Sequence, residues 1–236
     1  MSGNQPIKSV KVVEFFGVPG VGKSYLVKNV MLPNFERPMG RLSEGGRIQR
    51  IRRKLLLMLR HLRTAFATAF WARKVIALYP AMSWRRRGKV LFNWVFIDCL
   101  VREAARVRNP VLVLDQGIAQ ALWSTQFGAG GECPGEELHT LLQCYLEVLP
   151  MSEWEVVRVR ATPEIVRKRV GEREGFSPVD QDPESMDEAR CAERQVGEVL
   201  TGLARGADGA PSIRIVNMVN DDDSAVSRLR EVMGWT

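Results

Sequence analysis

The sequence predicts an α/β fold, a doubly wound parallel sheet with helices on both faces. Three observations predict it. Short, mostly apolar runs, Val10-Lys11-Val12-Val13-Glu14-Phe15-Phe16 and Val111-Leu112-Val113-Leu114, read as buried strands. Stretches of helical period separate such runs in strand–helix alternation, the pattern of a parallel sheet. The first strand also runs straight into a glycine-rich turn with a helical segment behind it.

That turn is Gly17-Val18-Pro19-Gly20-Val21-Gly22-Lys23-Ser24, followed by Tyr25-Leu26-Val27-Lys28-Asn29-Val30. It fits G-x-x-x-x-G-K-[ST], the P-loop, in the strand–loop–helix setting the motif requires. Glycines let backbone N–H groups approach phosphate oxygens with no Cβ in the way. The N-terminus of the following helix adds partial positive charge at the same place. Lys23 can span the β- and γ-phosphates of ATP, and the Ser24 hydroxyl can ligate Mg²⁺. Residues 17–25 are thus the expected nucleotide-binding set, Tyr25 included.

Pro33 should stop the first helix near Met31. Residues 32–46 read as a loop with Glu36 and Glu44 as its acids. Arg47 to about Tyr79 reads as one helix ended by Pro80. Leu55, Leu59, Leu62 and Phe66 would line one face, with Arg53 and Arg60 on the other side. The face suits core packing under a basic outer surface; the alternative is a surface helix facing anionic lipid or nucleic acid. Arg85-Arg86-Arg87 falls in a connector. Lys89 to Arg108 is the next helix, with Val90, Trp94, Ile97, Val101 and Ala104 as its apolar stripe. Asp98, Arg102 and Arg106 lie four apart on the opposite face, where Asp98 and Arg102 can pair.

Asp115 ends the next strand, where an acid can hold Mg²⁺ beside a P-loop. Gln116 to Gln126 is a helix or turn at the mouth of the sheet. Phe127 to Glu136 is a glycine-rich loop, and Glu137 to Leu149 a helix. Trp154 to Arg160 is a strand. Thr162-Pro163-Glu164 opens a helix with proline in its first turn. That helix carries Arg167, Lys168, Arg169 and Arg173. An acidic loop follows, then a helix from about Met186 to Ala204. Ser212 to Asn217 is the last strand, and Asn220 to Ser224 caps a helix ending near Gly234.

The 236 residues suit one domain, and a 45% hydrophobic share suffices for a large core. No apolar run reaches membrane-spanning length, and the N-terminus lacks the apolar core of a signal peptide. Cys99, Cys133, Cys144 and Cys191 show no metal spacing and read as reduced thiols of a cytoplasmic protein. Two histidines, His61 and His139, argue against a histidine-based metal site or triad. The net charge of +7 is uneven: Arg41 to Arg108 holds 17 Lys or Arg against three acids, a net of +14. Such polarity suits a polyanionic partner. The expected position of this segment is over the C-terminal edge of the sheet, drawing in an anionic acceptor.

Together the P-loop, Asp115-Gln116-Gly117 and Pro163-Glu164 with Arg169 and Arg173 resemble the P-loop nucleoside and nucleotide kinases, and thymidylate kinase-like proteins in particular. The resemblance runs through most of the chain in order, and only the P-loop is highly specific. It implies ATP and Mg²⁺ as cofactors and transfer of the γ-phosphate to a small acceptor: a nucleoside, a nucleotide or a similar anionic metabolite. It implies a lid over about 163–185, whose Arg169 and Arg173 touch the phosphates and stabilise charge on the transferred group. It implies Asn220 and Asp221 as contacts to adenine. The run Ala121-Leu122-Trp123-Ser124-Thr125-Gln126 matches the family's acceptor-lining segment. Gln116 departs from the pattern, standing where the family has arginine. The family's second strand is not recognisable, and the basic helical insertion, about 47–108, lies outside the common pattern.

The expected catalytic residues are therefore Lys23, Asp115, Arg169 and Arg173, with Ser24 and Asp115 on the metal. Asp115 could instead be the base for an acceptor hydroxyl. The alternative function is a P-loop ATPase or switch whose basic segment docks nucleic acid, membrane or a protein. A nucleic acid or anionic membrane surface is the less favoured partner, and a homodimer stays open.

Overall fold

The structure, a computed structural model, describes residues 9–30, 47–107, 111–127, 134–172, 183–206, 211–222 and 224–235. Four strands form one parallel sheet: β1 (Val10–Phe16), β2 (Val111–Leu114), β3 (Met151–Arg160) and β4 (Ser212–Val219), in the order β2-β1-β3-β4. Consecutive residues of β1, Val12 through Phe16, are all buried, so both faces of the sheet centre are covered. β4 lies at an edge and alternates buried and accessible positions over its second half. The order reverses direction at β1, whose neighbours β2 and β3 lie on opposite sides. Ligand crevices of open parallel sheets form at such a point, beyond the carboxyl ends of the strands.

The first helix, α1 (Lys23–Val30), follows the P-loop and buries Leu26, Val27 and Val30. Residues 47–79 depart from the single helix expected. They form α2 (Arg47–Arg60) and α3 (Leu62–Ala77), separated at His61, whose backbone leaves the helical region at φ −109°, ψ 34°. A long-range contact accounts for the break: His61 Nε2 lies 2.9 Å from Glu103 Oε2 on the next helix. The core-packing expectation for Leu55, Leu59, Leu62 and Phe66 is also corrected, since all four are exposed. It is Leu57, Met58, Ala65 and Ala69 that face inward.

Helix α4 (Trp84–Arg106) starts earlier than its apolar stripe suggested. Arg85, Arg86 and Arg87 belong to its first turn and not to a connector; the Arg87 N–H donates to the Ser83 carbonyl at 2.9 Å. Three cations at a helix N-terminus oppose the macrodipole, so the local sequence gave no reason to start a helix there. The guanidinium of Arg87 is tied back to the Met82 and Pro80 carbonyls at 2.8 and 2.7 Å. The stripe Val90, Trp94, Ile97, Val101 and Ala104 is buried as expected. The opposite face is not solvated throughout, because α3 packs there: Asp98 is fully buried, bonded to Arg102 at 2.9 Å. Burial pushes the Asp98 carboxyl above the usual carboxylate range, against the pull of Arg102 and Thr68. Arg106 pairs with Glu103 instead.

The remaining helices are α5 (Ile118–Gln126), α6 (Gly135–Val148), α7 (Pro163–Gly171), α8 (Pro183–Gly206) and α9 (Ala225–Met233). α7 has its proline in the first turn, and α9 ends at a left-handed Gly234, both as the sequence indicates. Helices α1, α4 and α5 all rest on β1. The expected loop at 32–46, the glycines 128–131 with Cys133, and Arg173 with the farther part of the lid lie outside the described residues. Among the described residues no helix is long and apolar enough to cross a membrane.

Candidate functional site

The P-loop leaves β1 through Gly17, Gly20 and Gly22, which take φ of +152°, +89° and +88°. Only glycine adopts that backbone without strain. Close packing reinforces the requirement at Gly17 and Gly22: a Cβ would collide with the Val159 carbonyl at the first and with the Asn220 side chain at the second. Lys23 folds over the loop, its Nζ donating to the Gly17 and Val18 carbonyls at 2.6 and 3.1 Å. Ser24 and Tyr25 are exposed at the start of α1.

The loop is gripped from the β3–β4 side. Asn220 is buried beyond the end of β4 and donates from Nδ2 to the Val21 carbonyl at 2.7 Å. Its own N–H donates to the Arg160 carbonyl at 2.8 Å. Arg169 on α7 donates to the Asn220 and Val21 carbonyls at 2.9 and 3.3 Å. Asp221 accepts from the Thr162 N–H at 2.8 Å, just before α7. Arg169, Asn220 and Asp221 thus form a clamp joining α7, the end of β4 and the phosphate loop.

A second support lies underneath. Glu14, in the middle of β1, is fully buried. Its carboxyl accepts from the N–H groups of Gly117, Ala119 and Gln120 at 3.0, 3.0 and 2.9 Å, and from Trp154 Nε1 at 3.3 Å. It therefore satisfies the open N-terminus of α5 from another strand, the task a capping side chain performs locally. Burial raises this carboxyl to about 7, although the four donors pull it down. Sequence reading missed Glu14 as a functional support; an acid inside an apolar strand was the available signal. The pairing also explains Gly117. A Cβ there would lie 2.6 Å from the Glu14 carboxyl carbon, with β1 on one side and α5 on the other. Gly117→Ala is expected to cost about 1–3 kcal/mol of stability, read as a lower denaturation midpoint at unchanged slope.

Glu14 fixes α5, and α5 with the end of β2 faces the P-loop across a cleft of about 630 Å³. Pro19, Gly20, Gly22, Lys23 and Ser24 form one wall, and Asp115 and Gln116 lie beyond β2. The far wall holds Arg85, Arg86, Lys89 and Asn93 of α4 with Gln120, Trp123 and Phe127. Trp123 and Phe127 stack, centroids 4.8 Å apart. The Arg86 guanidinium lies over Phe127 at 5.0 Å and donates to the Ser124 carbonyl at 3.2 Å. Burial lowers its pKa from the usual arginine value, and Glu188 counteracts this. Three buried polar atoms of the cleft residues have no hydrogen-bond partner: Asp115 Oδ1, Gln120 Oε1 and Arg86 Nε. Buried polar groups are nearly always bonded, so such a cluster points to a polar ligand.

Among the described residues no group of three or more His, Cys, Asp or Glu could hold a metal by itself. Mg²⁺ needs no such cage, being held in phosphate sites by one or two protein oxygens, waters and the phosphates themselves. The orphaned Asp115 Oδ1 and the exposed Ser24 hydroxyl fit that donor set.

No family model and no curated protein matches this chain. Among solved structures it is similar to a deoxyadenosine kinase from M. mycoides, solved with dCMP and a flexible dCDP bound as products. The two share 11% identity at a TM-score of 0.47, over 95% of this chain and 100% of that one. So distant a likeness assigns no residue, substrate or activity.

Proposed function

We propose that the protein is an ATP- and Mg²⁺-dependent phosphotransferase acting on a small nucleoside- or nucleotide-like acceptor. One observation carries this reading: a phosphate loop, an orphaned carboxylate and a cationic, aromatic wall open onto the same cleft. The loop suits the phosphates of ATP. Trp123 and Phe127 give the wall an apolar patch, while Asn93 and Gln120 suit the polar edge of a base and Arg85 and Lys89 an anionic group. An ATPase acting only on a macromolecular partner needs no such wall. The finer likeness to thymidylate kinases rests on sequence motifs alone, and Gln116, exposed at the cleft, is where the acceptor side departs from them.

Phosphoryl transfer is mainly positioning and charge neutralisation. Lys23 and the loop N–H groups hold the phosphates in line. Ser24 and Asp115 would hold Mg²⁺, which when bound neutralises charge on the phosphate oxygens. Asp115 also faces the cleft, where it could take the proton of an acceptor hydroxyl. Arg169 sits beside Gly22, its guanidinium spent on the carbonyls of Asn220 and of Val21 in the loop, so its role is to hold the loop and add positive field. Arg173 remains the proposed transition-state cation of the lid.

The test is labelled ATP with a panel of nucleosides and nucleoside monophosphates. Label should pass to one acceptor class, and the acceptor kcat/KM should fall as salt rises. Arg85→Ala/Lys89→Ala should raise the acceptor KM about tenfold, flatten the salt dependence and leave ATP affinity unchanged. Arg87 is excluded from this variant because it holds the turn before α4. ATP hydrolysis at one rate with and without every acceptor would favour the ATPase reading instead.

A further inference from the structure

Helices α2 and α3 carry two apolar sides. One packs inward through Leu57, Met58, Ala65 and Ala69 against Val95 and Cys99 of α4. The other faces out. Ile51, Leu55, Leu59, Leu62, Phe66 and Phe70 succeed one another at steps of three or four residues, and all are exposed, 62% at Leu59 and 70% at Phe66. The break at His61 does not interrupt this row. The His61 N–H donates to the Leu57 carbonyl and the Ala65 N–H to the His61 carbonyl, so the helical ladder continues through it. A helix apolar on both sides has two apolar neighbours. α4 is one, and no described element is the other.

Charge identifies the second neighbour. Residues 47–77 hold nine Lys or Arg and no Asp or Glu. Arg52, Arg53, Arg63, Arg73 and Lys74 are exposed on the same two helices, as is Arg60, which pairs with Glu103 of α4 at 2.9 Å. Among the described side chains of residues 47–77 none lines the cleft, so their charge does not serve the site described above. A second copy docking through this face would set one cationic rim against another. A nucleic acid supplies phosphates but no apolar medium for Leu59, Phe66 and Phe70. An anionic lipid surface supplies both.

We propose that α2 and α3 form an in-plane anchor for an anionic bilayer. The apolar row enters the acyl boundary and the arginines meet headgroup phosphates. The proposal is independent of the phosphotransfer reading. It is tested with the full chain and vesicles of phosphatidylcholine alone or mixed with phosphatidylglycerol, by co-sedimentation over a salt series. Binding to the mixed vesicles is expected, weakening as salt rises, with little binding to phosphatidylcholine alone. Leu59→Gln/Phe66→Gln keeps the charge and removes the apolar contact, so its affinity should drop about 10²-fold at unchanged circular dichroism and thermal midpoint. Phe66→Trp should show, on the mixed vesicles, a blue-shifted contribution beyond the emission of the six native tryptophans, read as the difference from the wild type. Absence of vesicle binding, or full binding by the glutamine variant with no shift in the tryptophan variant, overturns the proposal. So does a solution dimer that the glutamine variant splits, because a second copy would then cover the row.

Discussion

Lys23→Ala is expected to lower phosphoryl transfer by at least about 10²–10³-fold, the scale seen when one preorganised charge-stabilising donor is removed from a site. The fold should survive. The loop owes its shape to the positive-φ glycines and to the clamp of Asn220 and Arg169 on the Val21 carbonyl, none of which involves the lysine side chain. What the variant loses is the ammonium held 2.6 Å from the Gly17 carbonyl, at the mouth of the cleft. Stability should fall by about 1–3 kcal/mol, since the variant gives up two partly exposed hydrogen bonds of a charged donor to the Gly17 and Val18 carbonyls. The measurements are kcat with the acceptor found above, nucleotide affinity and the thermal midpoint. Wild-type turnover by a folded Lys23→Ala protein would remove the P-loop assignment.

Glu14 should control stability as strongly as Lys23 controls turnover. Glu14→Leu leaves the N–H groups of Gly117, Ala119 and Gln120 buried without an acceptor. Its cost should be at least about 3 kcal/mol at every pH, since each orphaned group costs about 1–3 kcal/mol. Glu14→Gln separates burial from charge. The wild-type carboxyl is raised from 4.5 to about 7, so the folded chain keeps this proton where the unfolded chain has lost it. The stability it contributes is full below about 4.5 and is lost as pH rises to about 7, an effect on the order of 3 kcal/mol. Denaturant titrations across that window should show the wild type losing stability relative to Glu14→Gln, whose side chain does not titrate. Parallel profiles would mean that the four donors hold the carboxylate ionised throughout. Because Glu14 holds α5, Glu14→Leu should also lower activity at temperatures where it is still folded.

How legible the molecule was depends on the range of the interactions involved. The strands, the parallel sheet and the P-loop were readable because their signals are local: apolar runs, a motif with fixed glycine positions, a proline at a helix start. Asp115 was readable as the acid ending a strand. The pair Asp98–Arg102 was readable from a spacing of four, but not that its carboxylate would be buried, which depends on α3 lying across it. The first turn of α4 ran against the local electrostatics, and the break at His61 answers to Glu103, 42 residues away.

By itself, then, the sequence determined the fold class, the glycine-rich loop between β1 and α1, and the alternation that sets Lys23, Ser24 and Asp115 at one end of a parallel sheet. Period and motif act over a few residues, and a single chain displays them. Only the tertiary structure decided that Glu14 supports α5 across 103 residues of sequence, and that Asn220 and Arg169 grip the loop from β4 and α7. It also divided the basic segment, sending Arg85, Arg86 and Lys89 to the cleft while leaving the row from Ile51 to Phe70 facing outward. The physical reason is that both sides of α2 and α3 are apolar. Periodicity finds such sides equally well, but which of them meets the core is settled by the helix packed against it.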